Sequence, residues 1–352
     1  MKQWIREVGR GQKGRRDLSY EEAMQAADAI ASGEATDAQI GAFLIAERVK
    51  EESAEELSAF IQQFRQGSDR IPTSTVLQDK LVDFAGPYAG RNTFAATVPV
   101  SILLAERGIP ALLHGSESLP PKYGTSIKRI VEKLDIPVDV TTNQVAKSIE
   151  EAMIGFAWTE KFSSPLARIR HIREEMGVRT FLNTAEKLLN LANAKTLMVG
   201  AFHKTAIDKI IPALQKLPYK QAYIVQGIEG SEDIPVHRNS SFIYKITDDG
   251  SESLTVKPKD FGLAQTKDQE KEKLSLDQQV DIINRLLAGD QAEELEYFRA
   301  QVLFNAGVRY FLYGEFATIE EGIRYADQQL VNKVGENHLQ IWRRAINNSV
   351  KS

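Results

Sequence analysis

Apolar residues recur at helical spacing in three consecutive segments between residues 19 and 67, and beyond them the pattern changes. Ser19 and Glu22 fit S-x-x-E, in which hydroxyl and carboxylate satisfy free N–H groups reciprocally at a helix start. Thr36 precedes a second helix with Ile40, Phe43, Leu44 and Val49 on its apolar face. Ser53 and Glu56 repeat the capping pattern before a third helix bearing Leu57, Phe60, Ile61 and Phe64, which Gly67 stops. Three short amphipathic helices bury little on their own, so this unit must pack on the rest of the chain.

From about residue 73 the pattern alternates between short apolar runs and helical segments. Strands are predicted at 81–85, 111–114, 196–200, 221–226 and 241–246, which gives an α/β core with a central, largely parallel sheet. Residues 165–192 interrupt the rhythm with helical, Arg-rich sequence, and 276–350 close the chain in helices. The expected division is a helical domain at 1–72, joined by helices within 165–193, and an α/β domain built from 73–164 and 194–352. A cleft is expected at the hinge between them. The polar stretch 247–275, with KDQEKEK at 267–273, is expected as a solvated loop or lid.

The segment 80–126 carries the most chemistry. A buried strand feeds a turn of small residues and then a helix of about fifteen residues. A second strand follows, and then a polar loop around Lys122 and Gly124. A strand entering a glycine turn and a helix N-terminus presents backbone N–H groups and a favourable dipole to an anion. Lys122 arrives on the same side of the sheet, so a phosphate or pyrophosphate site is predicted there.

Composition narrows the partners. The chain has 352 residues, a net charge of −4 and no cysteine, which excludes disulfides and thiolate metal sites and fits a reducing cytoplasm. Its five histidines make no metal-ligand pair at helical spacing. There is no apolar run long enough for a membrane span, and the basic start lacks the apolar core of a secretory signal. With net negative charge, nucleic-acid binding would need a local basic patch. Arg168, Arg170, His171, Arg173 and Arg179 offer one. Lys2, Arg6, Arg10, Lys13, Arg15 and Arg16 could extend it, with Trp4 as a stacking platform.

The order of segments resembles anthranilate phosphoribosyltransferase and its relatives in glycosyltransferase family 3, over nearly the full length. LSYEEAMQAADAIASGEATDAQIGAFLIAERVKEES resembles the family's N-terminal helical domain. DFAGPYAGRNTF stands where the family has D-x-x-G-T-G-G-D and then T-F-N, and LHGSESLPPKYGTS where it has K-H-G-N-R-x-x-S-S-K-S-G-S. IREEMGVRTFLN, IVQGIEGSEDI, KPKDFGL and FNAGVRYFLYGE resemble further family segments. The resemblance implies a small helical domain hinged to a larger α/β domain, homodimers through the helical domain, and use of 5-phosphoribosyl 1-pyrophosphate (PRPP) with Mg²⁺. On that likeness Gly86, Thr93, Thr97, His114, Lys122, Gly124 and Thr125 would hold the donor's phosphates, Glu232 and Asp233 the metal, and Arg173 an acceptor carboxylate.

The departures are as informative as the matches. Pro87 and Tyr88 replace glycine-turn residues, Leu113 replaces the lysine before His114, and Ser116 and Glu117 replace asparagine and arginine. Pro87 has no N–H to offer, Tyr88 adds bulk, and a carboxylate at 117 would repel pyrophosphate. The acidic pair is reversed in order, yet it still presents oxygen ligands to a hard cation. GFAWTEKFSSPLARIRHIREEMGVR and LNTAEKLLN resemble a paralogous branch with degenerate PRPP motifs that is linked to nucleic-acid binding. Two functions therefore stand side by side. One is a pentosyltransferase acting on an aromatic or heterocyclic acceptor, and not a true anthranilate phosphoribosyltransferase. The other is a non-catalytic protein that holds single-stranded nucleic acid in a basic cleft through Arg168, Arg170, Arg173 and Arg179.

Overall fold

The computed structural model describes residues 1–11, 13–201, 204–266 and 273–351, so most of the KDQEKEK run lies outside the described residues. Four helices open the chain: α1 (Lys2–Gly9), α2 (Tyr20–Ala31), α3 (Asp37–Lys50) and α4 (Ala54–Gln66). Full capping boxes at Ser19, Thr36 and Ser53 start the last three, as their sequences predict. Helix α1 has no capping side chain and is an addition to the predicted set. Val49 does not share the buried face of Ile40, Phe43 and Leu44; it is 66% exposed.

Seven strands form one sheet: β1 (Val82–Ala85), β2 (Ala111–Gly115), β3 (Ile154–Trp158), β4 (Thr196–Gly200), β5 (Gln221–Val225), β6 (Ser241–Thr247) and β7 (Gly250–Val256), in the order β3-β2-β1-β4-β5-β6-β7. The first five are parallel, and β6 and β7 are antiparallel additions at one edge. Strands β1, β2 and β4 are buried at every position, which is why they read as continuous apolar runs.

Two strands depart from the sequence reading. Strand β7 occupies part of the stretch expected as loop. Its sequence GSESLTV is polar because it is an edge strand exposed along most of its length, and its order comes from the ladder with β6. Strand β3 was not predicted. Gly155 within it has no Cβ because Ile149 would stand 2.7 Å away, where helix Thr142–Ala152 packs on the sheet. The helix after β1 spans Thr97–Glu106, 10 residues; the chain before it is an irregular loop over the sheet edge.

Residues 159–193 bridge the two bodies. Phe181 meets Phe60 of α4 edge-on at 4.8 Å, and Ser68 hydroxyl bonds Ser163 hydroxyl at 2.8 Å. The connecting segment is tied by Asp69 N–H to Phe162 carbonyl (2.7 Å) and Ile71 N–H to Leu191 carbonyl (3.0 Å).

Candidate functional site

The C-terminal ends of β1, β2, β4 and β5 converge on a cleft of about 450 Å³ whose walls include Lys122, Arg179, Asn183, Lys187 and Glu229. In an open α/β sheet, the strand ends are where ligands enter. The turn after β1 forms one side. Gly90 has φ +75, and a Cβ there would lie 2.3 Å from the Gly124 carbonyl oxygen; only glycine permits that approach. Gly124 N–H donates to Ala89 carbonyl (2.9 Å), and Arg91 and Thr125 exchange backbone bonds at 2.9 and 2.8 Å. The turn and the Lys122 loop are thus stapled together, which brings Gly86, Thr93, Lys122, Gly124 and Thr125 into one neighbourhood.

The N–H groups beyond the staple have a partner already. Asn92 N–H, Thr93 N–H (2.8 Å) and Thr93 hydroxyl (2.6 Å) all donate to the Glu229 carboxylate, and Lys122 Nζ is in contact with it. Burial and the nearby guanidinium groups of Arg91 and Arg179 pull the Lys122 ammonium down to about 8. The Glu229 carboxylate against it acts in the opposite sense and favours the charged form. Lys187 is buried at the cleft wall, donates to the carbonyls of Gly200 and Gly230 at 3.2 Å, and is also pulled down to about 8 by burial and then by Arg179.

Arg91, which the sequence reading did not single out, is 1% exposed and occupies the heart of the site. It donates to Asp233 Oδ2 (2.7 Å), Ser231 hydroxyl (2.9 Å), Thr93 hydroxyl (3.1 Å) and Phe94 carbonyl (2.6 Å). Arg309 reaches Asp233 Oδ1 at 3.1 Å from the opposite side and lies over the Phe84 ring. Thr97 N–H, at the start of helix Thr97–Glu106, donates to Asp233 Oδ2 at 3.2 Å. Asp233 is therefore fully engaged. Glu232 is buried too, yet neither of its carboxylate oxygens has a hydrogen-bond partner among the described residues, and Oε2 faces Gly86.

Of the two carboxylates expected to hold Mg²⁺, Glu232 keeps both oxygens available and Asp233 does not. A divalent cation on Asp233 would stand beside two guanidinium groups that already balance that carboxylate.

Tyr88 neither lines the cleft nor offers a stacking face. It is buried, and its hydroxyl bonds His114 Nδ1 and Thr159 hydroxyl (2.6 Å); burial and the Glu186 carboxylate raise its pKa well above the ordinary phenol value. His114 Nε2 lies 3.2 Å from Asp83 Oδ1, and Tyr219 hydroxyl donates to Asp83 Oδ2 at 3.0 Å. His114 thus belongs to a buried network behind the turn. Glu117 does not oppose a ligand: it turns to Lys128 Nζ at 2.7 Å, which also sits over the Trp158 ring.

The four arginines expected on one basic face are dispersed. Arg170 donates to Glu160 (2.7 Å) and Glu174 (2.9 Å), and Arg173 is buried against Glu186 at 2.6 Å. Arg168 lies against Gly33 of the helical domain, and Arg179 alone of the four lines the cleft. Arg173 is therefore paired internally through Nη1, while its Nη2 is buried without a hydrogen-bond partner among the described residues. At the N-terminus Trp4 is a core residue, while Arg16 pairs with Glu7 and Glu22 and Arg10 with Glu7, so no stacking platform forms there.

With this geometry the comparisons agree. Residues 79–333 match the glycosyl transferase family a/b domain and residues 2–67 the same family's helical bundle domain; the chain belongs to this family. Curated anthranilate phosphoribosyltransferases are similar along nearly their whole length. The one from Persephonella marina is 28% identical over 335 residues, 95% of each chain. That from Dehalococcoides mccartyi strain 195 is 31% identical over 327 residues, 92% of this chain and 93% of its own. Among solved structures, anthranilate phosphoribosyltransferase from Thermus thermophilus superposes with a TM-score of 0.81 at 20% identity, covering 98% of this chain and 99% of its own. The Saccharomyces cerevisiae enzyme in complex with PRPP and Mg gives 0.81 at 17% identity, covering 98% and 97%.

Proposed function

We propose that this protein is a phosphoribosyltransferase-type enzyme that takes PRPP in the cleft at the strand ends and transfers its phosphoribosyl group to a nitrogen of an aromatic or heterocyclic acceptor. The observation that carries the reading is the convergence of Lys122, Arg179 and Lys187 on one cleft between the two bodies. Three cations suit a ligand with several phosphate charges. In the reaction the C1–O bond to pyrophosphate breaks and a C1–N bond to the acceptor forms. Pyrophosphate leaves with the electron pair, and the acceptor nitrogen releases its proton to water. Lys122 and Lys187 would hold the phosphate oxygens where negative charge grows, and Arg179 stands where an acceptor could be oriented. With Arg173 paired to Glu186, a carboxylate-bearing acceptor loses the grip that the family resemblance implied. We also infer that two copies pair through the helical domain, for which the exposed Ile45 and Val49 on α3 speak.

Calorimetric titration with PRPP, followed by a pyrophosphate-release assay over a panel of aromatic and heterocyclic amines, tests the reading. Micromolar binding with acceptor-dependent pyrophosphate release is expected. Absence of PRPP binding at millimolar ligand, together with salt-dependent binding of a single-stranded oligonucleotide, would replace it with the nucleic-acid reading.

A further inference from the structure

The donor end of the cleft holds two carboxylates in places that favour anions. Glu229 accepts from Asn92 N–H, Thr93 N–H, Thr93 hydroxyl and Lys122. Asp233 lies at the N-terminus of helix Thr97–Glu106 and accepts from Thr97 N–H. Between them Arg91 supplies a fixed positive charge, 2.7 Å from Asp233 and 3.9 Å from Glu229. Glu229 has φ +54, a left-handed conformation that disfavours a side-chain-bearing residue, and its carboxylate contacts offset that strain. Asp233, by contrast, is fixed from both sides by arginines and is fully buried.

We propose that Glu229 is an internal competitor for the phosphate cradle formed by Asn92, Thr93 and Lys122. A phosphate or pyrophosphate group binds by displacing the Glu229 carboxylate, and Arg91 supplies, without Mg²⁺, positive charge beside it. The proposal rests on the reading that the cleft takes a phosphorylated ligand, and it adds what must leave when that ligand arrives. The exchange is chemically even-handed, because a carboxylate and a phosphate accept the same N–H and ammonium donors. Glu229 is the displaceable member of the two acids: its side chain is 16% exposed, whereas that of Asp233 is sealed.

Calorimetric titration of the full chain with inorganic pyrophosphate and with PRPP, with and without Mg²⁺, tests this on wild type, Glu229→Gly and Glu229→Gln. Glycine suits the positive φ, so E229G keeps the turn; E229Q keeps the shape and loses the charge. Because hydrogen bonds to a charged group are worth more than neutral ones, E229G is expected to bind pyrophosphate about tenfold tighter than wild type or better, with E229Q between. Mg²⁺ should leave all three nearly unchanged. Equal affinity in the three proteins, no pyrophosphate binding by any, or Mg²⁺ tightening wild type by about tenfold would overturn the proposal. PRPP failing to bind wild type while pyrophosphate binds E229G would defeat the proposed function and leave the competitor role standing. PRPP binding equally to wild type and E229G would do the reverse.

Discussion

Replacing Arg91 by methionine keeps the length of its buried stem and removes the guanidinium. In the native protein that group meets four acceptors, and Asp233 is shared between it at 2.7 Å and Arg309 at 3.1 Å. Breaking a buried ion pair by removing one partner costs about 3–5 kcal/mol. Arg309 remains to neutralise Asp233, so the lower end, about 3 kcal/mol, is the expected loss. At roughly 2–4 °C per kcal/mol for large domains, the melting temperature should fall by about 6–12 °C in a calorimetric scan. With the guanidinium gone, Glu232 and Asp233 are left short of positive charge, so millimolar Mg²⁺ should raise the melting temperature of R91M but not of wild type. The double variant R91M/D233N should not recover the loss, because Arg309 is then left buried without its carboxylate. A melt of R91M indistinguishable from wild type, or equal stabilisation of both proteins by Mg²⁺, would refute the account of Arg91 as the cation of this site.

Other consequences are open to direct measurement. Burial and Arg179 hold Lys187 at about 8, so pyrophosphate affinity should fall by about tenfold as pH rises through that value, and K187M should shrink the step in a calorimetric pH series to the part that Lys122 contributes. In the helical domain, Glu47 is buried 3.3 Å from Lys50, and burial followed by the Glu56 carboxylate pushes it up to about 8. Its folded value lies above its unfolded one, so the stability it contributes is complete below the ordinary carboxylate range and is lost as pH rises to about 8; urea unfolding of E47Q should show a shallower decline than wild type between the ordinary carboxylate range and about pH 8. Tyr88→Phe should lower stability by about 1 kcal/mol, through loss of its bonds to His114 and Thr159, while leaving pyrophosphate affinity unchanged in titration. Light scattering after size exclusion should show V49D shifted towards monomer relative to wild type, since Val49 is exposed on α3.

The strands that sequence patterning found are the ones sealed by helices, such as 81–85 and 196–200, because double-sided burial leaves a continuous apolar run. Strand β7 has no such run, since edge strands take polar side chains on both faces and are held by the ladder alone. Thr93, Lys122, Gly124 and Thr125 were legible as neighbours because the strand–turn–helix order places two successive loops at the same sheet edge. The basic face failed for a different reason. Charge density along 168–179 was visible, but its partners, Glu160, Glu174 and Glu186, lie within or beside the same stretch and consume Arg170 and Arg173.

The acidic pair shows why a substituted motif is best interpreted through its opposite number. The family pattern D-x-x-G-T-G-G-D closes on an aspartate where this chain has Gly90, and Arg91 follows directly after it. In the fold, β1 and β5 flank β4, so the turn after β1 faces the loop after β5 across one strand. A positive residue at 91 then meets Asp233, and the loop bearing it is pinned further by Asn305 and Gln301 to Ile234 and Val236. A guanidinium at 91 keeps the neighbouring Asp233 carboxylate compensated without an external ion, and a carboxylate at 229 does the same for the N–H groups of Asn92 and Thr93. Arg91 and Glu229 thus each occupy a partner that a metal–pyrophosphate ligand would otherwise meet. A ligand entering this cleft must therefore win its place from side chains, and Glu229, being the more exposed, is the one that can yield.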